Sequence, residues 1–222
     1  MARDARVGCA LDQPVGTRLA RQIPLPLAAG DGEQRIVVGN ANEPVLRACQ
    51  DAANWPFRTA LLSGPRRSGR SLIARWFMES GQGHAIDDAE DADEAEIFHA
   101  WNRAQTGNVP LLIIGRPVPD VWSVRLPDLR SRLSPALNLA IGEPDDAMLA
   151  ALIEAHARQR GLVLGEGATT YLVPRCTRSF AGVEELVARI DRISLERKSS
   201  ATLAIWREAL SRPRGPVQDG PK

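Results

Sequence analysis

The chain has 222 residues, 44% hydrophobic and 25% charged, a globular composition with room for one domain or two small ones. Its formal net charge of +1 argues against a broad, sequence-independent nucleic-acid surface, and no direct, specific DNA binding is expected. The three cysteines contain no C-x-x-C pair, and no apolar run reaches membrane-spanning length. These features exclude a disulfide framework and a membrane span, and they predict a soluble cytoplasmic protein.

The first part of the chain alternates strands and helices. Residues 1–34 are rich in proline, glycine and alanine without any regular period, which predicts a flexible tail. A helix is expected from Asn42, which is a good N-cap residue. The further strands are predicted at 59–63, 84–86, 110–115 and 136–141, with helices at 71–79 and 94–105.

After Gly142 the sequence shows three or four helical patterns and no strand. Strands that alternate with helices, followed by helices alone, predict an α/β nucleotide domain and then a small helical domain. The predicted boundaries are 35–142 for the α/β domain, 143–212 for the helical domain and 213–222 for a second tail.

A glycine-rich loop follows the first long strand, in the stretch "LLSGPRRSGRSLIARWF" that begins at Leu61. The phosphate-binding pattern is G-x-x-x-x-G-K-[ST], and Arg70 stands in place of its lysine. Since the only lysines are Lys198 and Lys222, a basic contact to phosphate from the first 197 residues has to come from arginine. Ser71 would offer its hydroxyl to Mg²⁺. The candidate loop residues are Gly64, Pro65, Arg66, Arg67, Ser68, Gly69, Arg70, Ser71 and Leu72; the alternative is an ordinary glycine-rich turn.

Two acidic residues, Asp87 and Asp88, follow the short strand 84–86. In a nucleotide site the first would hold Mg²⁺ and the second would polarise the attacking water. The surrounding "DDAEDADEAE" has seven acids in ten residues, which is also typical of a solvated surface. Both interpretations remain open at this point.

Two further motifs have a functional and an ordinary interpretation. In "LPDLRSRL" (126–133) an arginine is placed to reach a neighbour's γ-phosphate, but the pattern also fits an amphipathic turn with Leu129 and Leu133 buried. In "QIPLPL" (22–27) two prolines hold an extended segment that suits a peptide groove, or else form a linker.

These pieces, in this order, resemble the Hda branch of the DnaA-related AAA+ proteins, from about residue 20 to residue 211. The quoted motifs are joined by "RIVVGNANEPVL" (35–46), "TRSFAGVEELVARIDRISLERK" (177–198) and "ATLAIWREAL" (201–210). The resemblance implies an α/β AAA+ fold of the P-loop NTPase type with a small all-helical lid domain. It also implies a bound ADP (or ATP), with Mg²⁺ if nucleotide is bound, and a segment at Val38 that packs on the adenine.

The resemblance further implies partners and their contact residues. Gln22, Leu25 and Leu27 correspond to the anchors by which such proteins bind the DNA polymerase sliding clamp. Arg132 corresponds to an arginine finger offered to ATP on the replication initiator DnaA, and Arg70 is the residue usual in this branch. The implied function is a clamp-bound adaptor that stimulates the initiator's ATP hydrolysis and so prevents over-initiation.

Three departures from the full AAA+ pattern argue against ATP turnover by the chain itself. Ile114 and Gly182 stand where polar and arginine sensor residues are expected, and only fifteen residues separate Ser71 from Asp87, which predicts a shortened sheet. Two alternatives stay open: a P-loop ATPase that uses Arg70, Ser71, Asp87 and Asp88, and a nucleotide-independent scaffold. The sequence also leaves a homo-oligomer open.

Overall fold

The computed structural model describes residues 21–24, 35–115 and 124–211. Six strands and eight α-helices lie in these ranges. The strands are β1 (Arg21–Pro24), β2 (Arg35–Val38), β3 (Thr59–Ser63), β4 (His84–Ile86), β5 (Leu111–Ile114) and β6 (Leu137–Ala140). The helices are α1 (Glu43–Gln50), α2 (Arg70–Glu79), α3 (Glu94–Gly107), α4 (Pro127–Leu133), α5 (Asp146–Gln159), α6 (Ala168–Leu172), α7 (Phe180–Arg197) and α8 (Leu203–Ser211).

Four strands form a parallel sheet in the order β4-β5-β3-β6. Leu61 of β3 lies opposite Ile113 of β5 and opposite Asn138 of β6, which fixes the register of β5, β3 and β6. All four carboxyl ends therefore meet at one edge, where ligands bind in open α/β sheets. Within the described residues β4 is an outer strand, in keeping with the shortened sheet that the sequence predicts.

Residues that are neighbours along a strand point to opposite faces of the sheet. Both faces therefore carry apolar side chains, and helices cover both. Leu62 and Ile114 face a core shared with α1, α2 and the helical domain, whereas Leu61 and Ile113 face a second core under α3 and α4. Ile97 on α3 and Leu129 and Leu133 on α4 fill this second core. The predicted amphipathic character of 126–133 is thus confirmed.

The helical domain packs α5 against α7 and α7 against α8. Apolar residues at helical spacing on α7 are buried, and Asp145 and Ser179 cap α5 and α7 through their side chains. Gly161 has φ 65° just after α5 ends, the left-handed conformation common for a glycine at this position. None of the helices in the described part of the chain combines the length and apolarity needed to span a membrane.

One local difference from the predictions has a clear cause. Residues 21–24 form β1, which pairs antiparallel with β2, although the sequence there was expected to be irregular. This pairing depends on a partner strand, so local periodicity does not report it. Helix α1 ends at Gln50 and is followed by a separate 3₁₀ turn at Ala52–Asn54. Residues 1–20, 25–34, 116–123 and 212–222 lie outside the described residues, and they include most of the first predicted tail and all of the second.

Candidate functional site

The glycine loop joins the carboxyl end of β3 to the first turn of α2. Gly69 has φ 84° and Arg67 has φ 65°, so both residues adopt the left-handed conformation. Alternation of left- and right-handed residues turns successive N–H groups into an anion-binding concavity. No side chain caps α2, so the N–H groups of its first turn are left to an anion or to water.

Gly64 and Ser68 form the base of the loop. A Cβ at Gly64 would lie 2.9 Å from Ile141 Cβ and 3.1 Å from Ser68 Oγ, so only glycine fits there. Ser68 is buried, and its Oγ has no hydrogen-bond partner among the described residues. Native structures rarely leave such a group unsatisfied, except where a ligand or water completes it. The loop therefore fits a bound phosphate group.

The side chain of Arg70 turns toward the sheet. Its Nη1 donates a hydrogen bond of 2.9 Å to the carbonyl oxygen of Gly115, just beyond β5. The guanidinium thus lies at the carboxyl edge between the ends of β3 and β5, where a compact lysine would reach outer phosphates in other loops. Ser71 is exposed on the first turn of α2, and Leu72 is half-buried behind it. Pro65 and Arg66 are exposed in the middle of the loop.

The predicted acids Asp87 and Asp88 follow β4 at the same edge of the sheet. Both are exposed, Asp88 has φ 48°, and its N–H donates to Asp87 Oδ1 at 3.0 Å. Strand β5 separates them from the loop strand β3. The described residues contain no group of three His, Cys, Asp or Glu side chains arranged for a metal. Ser71 and Asp87, the residues that the resemblance assigns to Mg²⁺ when nucleotide is bound, are both exposed at the edge of the sheet where the loop lies.

The two sensor positions offer no polar side chain. Ile114 is 1% exposed and points into the core under α2. Gly182 is buried in the first turn of α7, where a Cβ would lie 2.7 Å from Thr177 Cβ. An arginine at this position would collide with Thr177, so the glycine is a packing requirement of the helical domain.

The segment expected to contact adenine lies at the junction between the two domains. Val38 ends β2 half-buried against the core. Next along the chain, Asn42 donates to the carbonyl of Val37 at 2.9 Å and accepts from Gly39 N–H at 3.0 Å. Asn40 accepts from the Asp145 N–H at the start of α5, again at 3.0 Å. These bonds tie the segment to the first helix of the helical domain.

An ion pair that the sequence does not predict links the loop to the helical domain. Arg67 Nε lies 3.0 Å from Glu184 Oε2 on α7. His156 on α5 is close to both, and burial lowers its pKa, opposed by the Glu184 carboxylate and reinforced by Arg160 and Arg67. Glu184 lies two residues beyond Gly182. The sequence therefore points to the start of α7, but it does not show which residue of that helix faces the loop.

Arg132 lies on α4, on the face of the sheet opposite to α2. Its Nε and Nη2 donate to the two carboxylate oxygens of Asp128 at 3.3 and 3.4 Å, and its Nη1 donates to Asn102 Oδ1 at 3.2 Å. Its guanidinium carbon is 4.6 Å from the ring centre of Trp101 and 4.8 Å from that of Phe98. The side chain is 31% exposed. We call these four neighbours the Arg132 cage.

Glu94 holds the start of α4 in position. Its two carboxylate oxygens accept hydrogen bonds of 2.8 Å from the N–H groups of Arg125 and Leu126. These bonds are the main reason why the pKa of Glu94 is lowered, with smaller contributions from the charges of Arg125 and Arg130. The sequence gives no local signal for this contact, because the residues are about thirty positions apart.

The predicted clamp-binding residues are only partly described. Gln22 lies in β1 opposite Val37 of β2, while Leu25 and Leu27 lie outside the described residues. The motif thus begins in a strand next to the segment that carries Val38.

The parallel sheet, the glycine loop and the helical domain define an α/β fold of the AAA+ type with a shortened sheet. Domain III of the initiation protein DnaA from Thermotoga maritima superposes with a TM-score of 0.63 at 14% identity, over 78% of this chain and 92% of that domain. AMPPCP-bound DnaA from Aquifex aeolicus gives a TM-score of 0.53 at 15% identity, over 72% and 66% of the two chains. At these identities the likeness establishes the fold.

Residues 145–210 match the family described as the Hda lid domain. The chain is thus similar to Hda-like, DnaA-related AAA+ proteins, in its helical domain by sequence and over the described α/β part by fold. It is also 29% identical over 122 residues to an uncharacterised protein of Haemophilus influenzae, which is 54% of this chain and 53% of the relative. The match thus spans about half the length of that curated protein.

Proposed function

We propose that this chain is a regulator of replication initiation that binds the sliding clamp and there stimulates ATP hydrolysis by the initiator DnaA. In this account the hydrolysed ATP belongs to the initiator, and Arg132 supplies an arginine finger in trans. The consequence is fewer ATP-bound initiators and no over-initiation. The Hda lid domain and the DnaA-like fold support the regulatory role.

The observation that carries the proposal is the environment of Arg132. Its described contacts are with α3 and α4, across the sheet from the helix that follows the glycine loop. An arginine there is remote from the chain's own loop but accessible to a second protein. A guanidinium acts on phosphoryl transfer by stabilising charge that develops in the transition state.

The contacts of the Arg132 cage orient the guanidinium and are weak enough for a partner's phosphate to replace the carboxylate. Its bonds to Asp128 are longer than the 2.7–2.9 Å of the strongest ion pairs. A partly exposed pair of this kind contributes about 0–1 kcal/mol, so a phosphate of higher charge can displace the carboxylate. The Trp101 and Phe98 rings would keep the guanidinium plane oriented during this exchange.

The chain's own loop is proposed to bind ADP at least as well as ATP and to hydrolyse neither appreciably. The unpartnered Ser68 hydroxyl and the uncapped first turn of α2 favour a bound phosphate. The apolar Ile114 and the tightly packed Gly182 leave the γ-phosphate without two expected contacts. Nucleotide here would act as a structural ligand.

Clamp binding is proposed to use Gln22, Leu25 and Leu27. The segment starts in β1, which pairs with β2, so a clamp held by this motif would lie close to the junction of the two domains. An extended segment docks with little loss of conformational entropy, which suits a short linear ligand. The two leucines would fill apolar pockets, and Gln22 would hydrogen-bond.

One observation favours a second candidate, a P-loop ATPase in its own right. Asp87 and Asp88 lie at the same edge of the sheet as the loop, in the order expected of a working acid pair. Their exposure and the two sensor positions weigh against it.

The experiment that tests the proposal is reconstitution of the purified chain with ATP, with and without the initiator and clamp loaded on DNA. Phosphate release only in the complete mixture supports the adaptor. Steady release by the chain alone supports the ATPase. Clamp and initiator binding without any stimulated release would reduce the chain to a scaffold.

A further inference from the structure

A carboxylate faces the phosphate-binding loop from the helical domain. Glu184 Oε2 lies 3.0 Å from Arg67 Nε, in the middle of the glycine loop. The Glu184 side chain is 24% exposed and that of Arg67 is 68% exposed, so the acid is the more enclosed member of the pair. This contact crosses from α7 to the loop and joins Arg67, a loop residue, to Glu184, which is not among the residues assigned to phosphate binding above.

The start of α7 explains why an acid takes this position. Ser179 caps the helix by accepting a 3.1 Å hydrogen bond from Gly182 N–H, and Gly182 is packed on Thr177. Val183 is then buried in the core, and Glu184 is the next residue on the side that meets the loop. The first turn of α7 therefore presents a negative charge to the loop and has no room for an arginine at position 182.

Only some of the groups around Glu184 carry a positive charge that can offset its carboxylate. Arg67 and Arg160 are the cations that share this cluster with His156, which is half-buried and lies on α5. An anion bound by the loop would lie near a fixed carboxylate and would compete with it for Arg67. Repulsion between like charges grows with the charge on the ligand, so each added phosphate makes the competition more costly.

We propose that Glu184 is a specificity-determining residue that makes the loop discriminate against the triphosphate and favour nucleotides with a shorter phosphate chain. It does so by holding Arg67 away from the terminal phosphate and by opposing that phosphate's charge. This inference rests on the proposed nucleotide site but not on the clamp or on the initiator.

The test is a calorimetric titration of the full chain with ADP and with ATP, each with Mg²⁺ present. The measured quantity is the ratio of the Kd for ATP to the Kd for ADP. Glu184→Gln keeps the shape and removes the charge, and we expect the ratio to fall about tenfold, a difference of roughly 1.4 kcal/mol. Glu185→Gln on the exposed side of the same helix is the matched control and should leave the ratio unchanged.

Arg67→Ala supplies the opposite change. It leaves Glu184 without this partner, so the ratio should rise, and adding Glu184→Gln to it should bring the ratio back below that of the single variant. An unchanged ratio in Glu184→Gln, or an equal change in Glu185→Gln, overturns the proposal. So does a chain that binds neither nucleotide in any of these forms. Stimulation of the initiator is measured separately, so that failure can be told apart from failure of the adaptor function.

Discussion

The glycine loop and helix α4 both present arginines, but the two regions use them differently. In the loop, Arg70 bonds to a backbone carbonyl and Arg67 to an acid of the helical domain, so both cations are directed toward the chain itself. On α4, Arg132 is stacked on two aromatic rings at the surface and paired with a carboxylate that is 64% exposed. In the proposed function the first region binds an anion, and the second keeps an oriented guanidinium available to a partner protein.

This difference separates binding from catalysis. The loop has the backbone geometry for phosphate but lacks polar groups at the positions of Ile114 and Gly182. The α4 surface has an oriented guanidinium, and the described residues that contact it offer side chains and not a glycine loop. Under the proposed function, a second protein brings its ATP to Arg132. The following variants are chosen to break or to sharpen this division.

The largest effect is expected from Arg132→Ala. Arginine fingers contribute roughly 10³–10⁵ in rate in some GTPases, and we expect a loss of roughly 10²–10³ here in the stimulated ATP hydrolysis of the initiator. Clamp binding should persist, because a finger acts on the transition state and not on assembly. The measurement is phosphate release with clamp on DNA.

Arg130→Ala is the matched control for Arg132→Ala. Arg130 lies on the same helix but is exposed, with its guanidinium directed to the carbonyl of Val124. It should retain most of the stimulation. Equal losses in the two variants would mean that α4 as a whole, and not one guanidinium, matters to the partner.

The next largest effect concerns the clamp. Gln22→Ala combined with Leu25→Ala and Leu27→Ala should weaken clamp binding by about 100-fold or more, since each buried leucine contributes about 1.5–3 kcal/mol. A direct titration with the isolated clamp measures this. The melting temperature should stay unchanged; a large fall would show that the segment packs on the core instead.

Gly182→Arg tests whether the missing sensor can be restored. The collision with Thr177 should lower the free energy of unfolding by about 1–3 kcal/mol, as overpacking does. ATP affinity should not improve, because the helix must shift to accept the side chain. Chemical denaturation and nucleotide titration check the two parts. Tighter ATP binding at full stability would contradict this account of the helix.

Arg70→Ala should weaken ADP binding by about tenfold, the effect of one lost charge-assisted contact of about 1.4 kcal/mol. Arg75→Ala, exposed on the same helix α2 but beyond the loop, is the control. Stimulation of the initiator at saturating ADP should be retained by both. Loss of stimulation in Arg70→Ala under those conditions would move catalysis back to the chain's own loop.

The smallest effect is expected from Glu94→Gln. The folded pKa of Glu94 lies below its ordinary value, so its stabilising bonds to Arg125 and Leu126 are fully present above the ordinary carboxyl pKa. They are lost as pH falls through the folded pKa. The variant should therefore melt slightly lower than the wild type near pH 7, and the difference should vanish in acid. A difference that persists at low pH would indicate a packing effect.

Much of the fold can be predicted from the sequence because the signals are local. The apolar run 110–115 and the strand–loop–helix order around Gly64 depend on residues that are neighbours in the chain. The bounds of β3 and β4 are confirmed; β5 and β6 are each shorter than predicted by one residue at both ends, and α2 begins one residue earlier. The sequence does not predict strand β1, because that strand depends on pairing with β2 and not on a local pattern.

The candidate sites are less predictable because they depend on contacts distant in sequence. Arg67 meets Glu184 from more than a hundred residues away, and the Arg132 cage draws Trp101 and Asn102 from a different helix. No spacing rule reports which face of α7 meets the loop. The loop itself can be predicted, because Gly69 has a positive φ and Gly64 is tightly packed, so both positions require glycine and their spacing is visible in the sequence.

The central claim, that the hydrolysed ATP belongs to the initiator, is tested most directly by a single turnover. The initiator is loaded with labelled ATP, free nucleotide is removed, and the chain is added with clamp on DNA. The account predicts that addition of the wild-type chain makes the bound ATP decay faster at once, although no free ATP is present. The Arg132→Ala variant should not accelerate the decay. Acceleration that appears only when free ATP is supplied, or that survives in Arg132→Ala, would contradict it.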